Sequence, residues 1–215
     1  MNYAQCLKKM AYFFTLMSII AFLFPTVTAE YAIDISPLNI VSGQEISVTL
    51  KEIPQGSLIN MTLNATVQTT PGQDINYTLN NFLFPYESGI SSFVVEMFNL
   101  VPSTLATASV IREDGTEASK TGTVLDDGSY NASILHELNT AQYNVSFMGT
   151  TSSSNFKVNI DFGGRTVVLG GGSNVVKTTK SYFTPGGIPE GEVDIKVYVD
   201  KILQKTETLK ISPGI

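Results

Sequence analysis

The sequence predicts an all-β protein: an antiparallel immunoglobulin-like sandwich with an additional C-terminal β unit packed on it. Short runs of alternating apolar and polar residues recur every 8–12 residues or so, bounded by glycine, proline, asparagine or aspartate. Charged residues make up only 15% of the 215-residue chain. Threonine, serine and asparagine take their place, and threonine, branched at Cβ, suits a pleated sheet. No long run has the apolar spacing of a helix.

Alternation predicts the strands one by one. In chain order they cover residues 31–36, 46–51, 58–67, 75–84, 105–112, 118–125, 130–135, 138–147, 156–162, 166–169, 193–199 and 202–211. Residues 91–100 fit both a helix and a strand, and their β-propensity favours the strand. The Asp114-Gly115 pair predicts a type I′ hairpin turn, and Gly163-Gly164 predicts another turn.

The N-terminal residues have the pattern of a secretory signal peptide. Lys8 and Lys9 precede an apolar run over residues 10–24, and Val27-Thr28-Ala29 supplies small residues for cleavage. A retained anchor and a pilin-type leader are the alternatives, whereas a lipoprotein is excluded because Cys6 precedes the run. We therefore expect a leader over 1–29, secretion or a cell-envelope location, and no membrane span after cleavage.

Two units follow the expected leader. Residues 30–150 are predicted to form the β-sandwich domain, and residues 155–215 a C-terminal β-hairpin subdomain. The soft Thr/Ser stretch over 149–155 is the candidate seam between them, and the glycine run over 170–173 is a candidate flexible joint.

Charge and cysteine content exclude several function classes. The net charge of −6 is unsuited to nucleic acid or anionic lipid, both of which attract clustered lysine and arginine. The single cysteine, Cys6, would leave with the leader. The exported chain would then have no disulfide, no thiol nucleophile and no cysteine-ligated metal.

The candidate modification sites are Asn-x-Ser/Thr sequons. They lie at Asn60, Asn64, Asn76, Asn131 and Asn144. Asn60 and Asn64 share one predicted strand at a spacing of four, so both should point to the same face.

Catalytic signals are weak, and we predict no catalytic, cofactor or metal site. His136 is the only histidine, and no nucleophile-elbow motif accompanies it. The carboxylate pairs Glu113/Asp114 and Asp126/Asp127 fall in predicted turns, where aspartate ordinarily bonds the local backbone.

Two further features of the sequence resemble known β-sandwich proteins. Tyr143 follows a turn and opens an alternating strand, which resembles the tyrosine corner of immunoglobulin-like sandwiches, although an ordinary strand tyrosine fits equally well. The segments 54–57, 81–85, 127–130, 141–143 and 193–200 together resemble uncharacterised exported β-sandwich proteins of methanogenic archaea. That resemblance implies an envelope or extracellular location and no defined activity.

We therefore expect a secreted or cell-surface, non-enzymatic β-sandwich module with a structural, adhesive or binding role. A carbohydrate-binding or glycan-hydrolysing sandwich is the alternative, which the lack of tryptophan disfavours. The expected partners are other envelope proteins or surface glycans, with self-association through strand edges as a third possibility.

Overall fold

Fourteen strands and no helix form the regular structure of the described residues, which are 31–54, 56–84, 91–136, 141–165 and 175–213 of the computed structural model. The strands are β1 Ala32–Ser36, β2 Asn39–Val41, β3 Ile46–Pro54, β4 Leu58–Gln68, β5 Asp74–Phe84, β6 Ser91–Phe98, β7 Leu105–Arg112, β8 Glu117–Thr123, β9 Tyr130–His136, β10 Ala141–Thr150, β11 Asn155–Arg165, β12 Val175–Gly186, β13 Gly191–Val199 and β14 Ile202–Ser212. The all-β prediction is confirmed. The predicted leader, the strand at 166–169 and the glycine joint lie outside the described residues.

The strands form two seven-stranded sheets. Sheet I has the order β1-β3-β12-β5-β10-β7-β8, and sheet II has the order β2-β14-β13-β4-β11-β6-β9. Described neighbours pair antiparallel except β2 and β14, which pair in parallel. The chain is therefore a β-sandwich, as expected.

Alternation gives each sheet an inner and an outer face. In β4, the side chains of Ile59, Met61 and Leu63 are almost fully buried, whereas those of Thr62 and Asn64 are only half-buried. Successive side chains of a strand point to opposite faces, so the apolar set of each sheet meets the other sheet and the polar set forms the outer face.

Aromatic side chains from both sheets meet at the centre of the core. The rings of Phe82 on β5 and Phe162 on β11 meet edge to face, with centroids 4.7 Å apart. Phe183 on β12 and Phe93 on β6 extend this cluster, at 6.0 Å from Phe82 and 6.3 Å from Phe162 respectively. Burying each of these side chains contributes roughly 1.5–3 kcal/mol, so they hold the two sheets together.

The C-terminal strands are distributed across both sheets. β12 lies between β3 and β5 in sheet I, while β11 and β13 lie on either side of β4 in sheet II. Residues 31–215 cluster as one compact unit. The strands of residues 155–215 thus share both sheets with the strands that precede them.

Tyr130 joins the two sheets along one side of the sandwich. It lies on β9, the edge of sheet II, and its phenol donates a 2.7 Å hydrogen bond to the Lys120 carbonyl on β8, the edge of sheet I. Gly122 leaves room for the ring, because a Cβ there would lie 3.0 Å from Cε2 of Tyr130. This bond closes the β8–β9 side.

Residues 91–98 form β6, so the interpretation as a strand is confirmed. Phe93, Val95 and Met97 are buried at alternate positions, and β6 pairs with β9 on one side and β11 on the other. Burial on one face of a sheet, rather than local helix spacing, decides the conformation.

The β7–β8 hairpin forms as predicted, but its turn is not type I′. Of the two central residues only Gly115 has a positive φ, +85°, whereas type I′ requires both. Gly115 N–H donates to the Arg112 carbonyl and Arg112 N–H to the Thr116 carbonyl, each at 2.8 Å. The loop therefore has the three-residue form with a left-handed glycine at its end.

The β13–β14 hairpin has the positive φ values that the β7–β8 turn lacks. Asp200 has φ +51° and Lys201 has φ +69°, as a type I′ turn requires. Asp200 Oδ1 also accepts a 2.9 Å bond from Leu58 N–H, which fixes the turn to the start of β4. The predicted hairpin is confirmed.

A second turn prediction is also wrong. Gly163 and Gly164 do not turn the chain but continue β11, paired with Asn60 and Ile59. A Cβ at Gly163 would lie 2.9 Å from the Ile59 carbonyl oxygen, so glycine here allows close strand contact rather than a turn. In addition, β2 and β12 are strands for which the sequence analysis made no prediction.

Candidate functional site

The five sequon asparagines lie on strands at the outer faces of the sheets. Asn60, Asn64 and Asn131 are on sheet II, and Asn76 and Asn144 are on sheet I. Asn76, Asn131 and Asn144 are exposed, whereas Asn60 and Asn64 are half-buried. Asn60 and Asn64 share the outer face of β4, as their spacing predicts.

Two of these asparagines also have structural partners. Asn144 Oδ1 accepts a 3.0 Å bond from the Asn81 backbone N–H, at the bulge where β5 shifts register against β10. Asn131 Nδ2 donates to Glu96 Oε1 at 3.2 Å. The Oδ1 atom of Asn60 is buried and has no partner within the described ranges.

Two of the four predicted turn carboxylates, Asp114 and Asp127, bond their own turns. Asp114 Oδ1 accepts from Thr116 N–H at 2.9 Å, and Arg112 approaches the same carboxylate at 3.1 Å. Asp127 Oδ1 accepts from the hydroxyl and the N–H of Ser129, at 2.6 and 2.9 Å. These hydrogen bonds lower the pKa of both carboxyls below the ordinary value of 3.8, which favours the ionised form over a general acid.

His136 ends β9, paired in register with Ser91 of β6. Its side chain is outside what the structure describes. Among the described residues, no group of three or more His, Cys, Asp or Glu side chains could hold a metal ion. None of the described elements is a helix long and apolar enough to cross a membrane.

The outer face of sheet II carries an aligned row of polar side chains, one from each of six strands. The row consists of Thr208 on β14, Asp194 on β13, Asn64 on β4, Asn159 on β11, Glu96 on β6 and Asn131 on β9. Glu96 joins two of its neighbours, since its two carboxylate oxygens accept from Asn131 and Asn159 at 3.2 and 3.4 Å.

A shallow depression of about 320 Å³ lies along this row. Its polar and aromatic lining comes from β4, β6, β11 and β13 and comprises Thr62, Asn64, Glu96, Asn159, Asp161, Lys196 and Tyr198. Its apolar lining is the half-buried Val94, on the same outer face of β6 as Glu96, and the buried Ile160. We call it the sheet II depression. It spans four adjacent strands, about 14 Å at the usual strand spacing.

Two carboxylates enter the depression from neighbouring strands. Glu96 pairs with Asn159, and Asp161 pairs with Val94, which places Glu96 and Asp161 diagonally, with Cα atoms about 7–8 Å apart. Sequence reasoning missed both. The polar positions of β4 and β11, Asn-x-Thr-x-Asn and Lys-x-Asn-x-Asp, were the signal in the sequence, but the pairing that aligns them is not a local property.

Comparisons with known proteins give no relationship. No family model and no curated protein matches the chain. Among solved structures, the chain resembles the Pseudomonas fluorescens alkylpurine DNA glycosylase AlkC bound to DNA (10% identity, 89% of this chain and 33% of that chain, TM-score 0.19) and Spo0M, a sporulation control protein from Bacillus subtilis (11%, 86% and 49%, TM-score 0.17). It also resembles the infectious bursal disease virus Gx strain structure (11%, 80% and 42%, TM-score 0.25). The chain spans a third to a half of these proteins, and at such TM-scores the similarities support no functional argument.

Proposed function

We propose that this protein is a secreted or cell-envelope β-sandwich module without enzymatic activity, which acts in binding or adhesion through the outer face of sheet II. The observation that carries the proposal is the sheet II depression. Half-buried amide, hydroxyl and charged groups line it together with the exposed Asp161, whereas an exposed apolar patch would have indicated a permanent protein interface.

The chemistry of the acidic residues supports binding over catalysis. Asp114 and Asp127 are exposed and hydrogen-bonded within their own turns. Glu96 accepts from two amides, so both of its carboxylate oxygens are already engaged within the outer face of sheet II. Export is supported by the signal-peptide pattern of residues 1–29.

Self-association through strand edges is the less favoured role. At the β14 edge of sheet II, Lys205 and Glu207 lie opposite the buried Val197 and Ile195, so they point to the inner side. Inward-pointing charges on an edge strand oppose pairing with another chain.

The test begins with the full chain, produced with its own leader in an export-competent host. We expect mass spectrometry of the exported product to give an N-terminus at Glu30. Recovery from the cytosol with residues 1–29 still attached would contradict export.

The exported product is then mixed with envelope fractions and sedimented. We expect co-sedimentation that Asp161→Ala weakens and that Asn76→Ala, on the outer face of sheet I, leaves unchanged. Equal retention of both variants would remove sheet II from the proposal.

A further inference from the structure

Several side chains of the sheet II depression have hydrogen-bonding groups that no other side chain of the described residues occupies. Within the described ranges, the side chains of Thr62, Asn64 and Asp161 have no hydrogen-bond partner, whereas Glu96 already holds Asn131 and Asn159. Thr62 and Asn64 are half-buried, so a ligand seated there would displace few waters while gaining directed bonds. An amide, a hydroxyl and a carboxylate together supply both donors and acceptors.

The charges of the depression restrict the ligand. Lys196 is positive, and Glu96 and Asp161 are negative, so the lining has a small negative balance. A polyanion would be repelled by the two carboxylates, and a polycation would meet Lys196 at the same place. A neutral ligand rich in hydroxyl groups complements this mixture of donors and acceptors.

The shape of the depression agrees with a chain-like ligand. It runs across four strands, with the half-buried ring of Tyr198 on β13 at one end and Glu96 on β6 towards the other. An aromatic ring offers a flat apolar surface beside polar groups, which suits the C–H face of a sugar ring. The length of about 14 Å accommodates a short oligosaccharide rather than one sugar.

We propose that the sheet II depression binds a neutral oligosaccharide, with Asn64 and Asp161 as direct hydrogen-bonding residues and Tyr198 as the stacking residue. This inference rests on the proposed function and names its ligand class. In this arrangement Glu96 is a positioning residue, because it fixes the Asn159 amide through a 3.4 Å bond and leaves the opposite side of that amide for the ligand.

The test is an array of neutral oligosaccharides, with sulfated oligosaccharides on the same slide, probed with the full-chain exported product. Binding strength for the best neutral probe is then measured by calorimetry. We expect Asn64→Ala to weaken it about fivefold and Asp161→Ala about tenfold or more, because a hydrogen bond to a charged group contributes more than one to a neutral amide.

Asn64 is also a sequon, so a second variant separates its two roles. Thr66→Ala destroys the Asn64-Ala65-Thr66 sequon but keeps the Asn64 amide, and Asn76→Ala removes a comparable amide from sheet I. Both should bind as the unmodified chain does. All variants are compared by thermal unfolding, so that a loss of binding is scored only for a folded protein.

The outcomes are distinct. Neutral binding that weakens as expected in Asn64→Ala and Asp161→Ala and is unchanged in Thr66→Ala supports the inference. Binding of sulfated probes alone, no binding at all, or binding indifferent to both depression variants overturns it. Release of reducing ends from a bound oligosaccharide would support the site but overturn the non-enzymatic proposed function, since Glu96 and Asp161 would then be acting as a catalytic pair.

Discussion

Tyr77 and Tyr130 differ in one hydrogen bond. Each side chain is 4% exposed. The Tyr130 phenol donates to the Lys120 carbonyl, whereas the Tyr77 hydroxyl is buried without a partner within the described ranges. Burial raises the pKa of both phenols, because the charged form would lose its hydration.

The two tyrosines therefore predict opposite results for the same substitution. Tyr130→Phe should lower the free energy of unfolding by about 1 kcal/mol, because it removes this hydrogen bond. Tyr77→Phe should be neutral or slightly stabilising, since it removes an unsatisfied hydroxyl. Urea denaturation of both variants measures this difference, and equal losses would contradict the assignment.

Thr151 shows how a single polar residue fixes the connection between the sheets. It is fully buried, and its hydroxyl donates to the Thr70 carbonyl at 2.8 Å. Its own N–H donates to the Gln73 carbonyl at 2.9 Å. The Thr/Ser stretch between β10 and β11 is therefore pinned to the turn before β5, although its composition resembles that of a linker.

At the scale of elements, the acidic turns give the sandwich a pH dependence. The folded pKa values of Asp114 and Asp127 lie below 3.8. A carboxyl whose pKa is lowered by folding contributes stability above its unfolded pKa, and that contribution is lost as the pH falls through the folded value. The turns should therefore loosen in acid.

The matched test replaces Asp114 and Asp127 together by asparagine, which keeps the acceptor oxygen and removes the charge. We expect the urea midpoint of the double variant to fall less steeply than that of the parent as the pH drops below 3.8. Above that pH the parent should be the more stable protein. Parallel curves across the acid range would mean that these turns do not couple to protonation.

A second prediction at the scale of elements concerns the edge strand β14. Over the described residues, β2 pairs with β14 only at Lys210–Ser212. Along the remainder of β14, the side chains of Lys205 and Glu207 point inward and form an ion pair, with Nζ and Oε1 2.8 Å apart. Changing both to valine should produce concentration-dependent dimers in sedimentation velocity, because the inward charges no longer oppose edge pairing. The outward pair Thr206→Val and Thr208→Val serves as control, and a monomeric Lys205/Glu207 variant would refute this role.

At the scale of the molecule, the aromatic cluster carries the packing of one sheet on the other. Phe162→Ala should cost about 3–5 kcal/mol, the usual loss for a buried phenylalanine. Phe98→Ala removes the same atoms from the half-buried outer face and should cost much less. Chemical denaturation of the two variants makes the comparison, and similar losses would mean that the inner rings are not what joins the sheets.

The sequence predicted the strands that alternate, and little of how they pair. Phe156 to Phe162 alternate cleanly, and so do Val193 to Val199, because one face of each strand is buried. Strand β12 begins with Val-Val-Lys-Thr-Thr-Lys, which does not alternate between apolar and polar residues. This strand was therefore not predicted from the sequence. Its position between β3 and β5 depends on pairing between segments far apart in the chain, which no local pattern encodes.

The same limit applies to the candidate site. Each sequon could be located from three consecutive residues, and the local bonding of Asp114 and Asp127 followed from ordinary turn chemistry. The sheet II depression could not be found in this way. Glu96 and Asp161 become neighbours only because β6 pairs with β11 in one particular register, and a shift of β6 by one residue would turn Glu96 to the core.

The insertion of β12 into the middle of sheet I sets an order for folding. Until residues 175–186 have left the ribosome and, in an exported chain, the translocation channel, β1 and β3 have no strand to link them to β5. Sheet I therefore cannot become continuous until the last third of the nascent chain is available for pairing. Such late, non-local pairing slows folding, so the chain, if exported as we propose, would still be unfolded while it passes through a membrane channel.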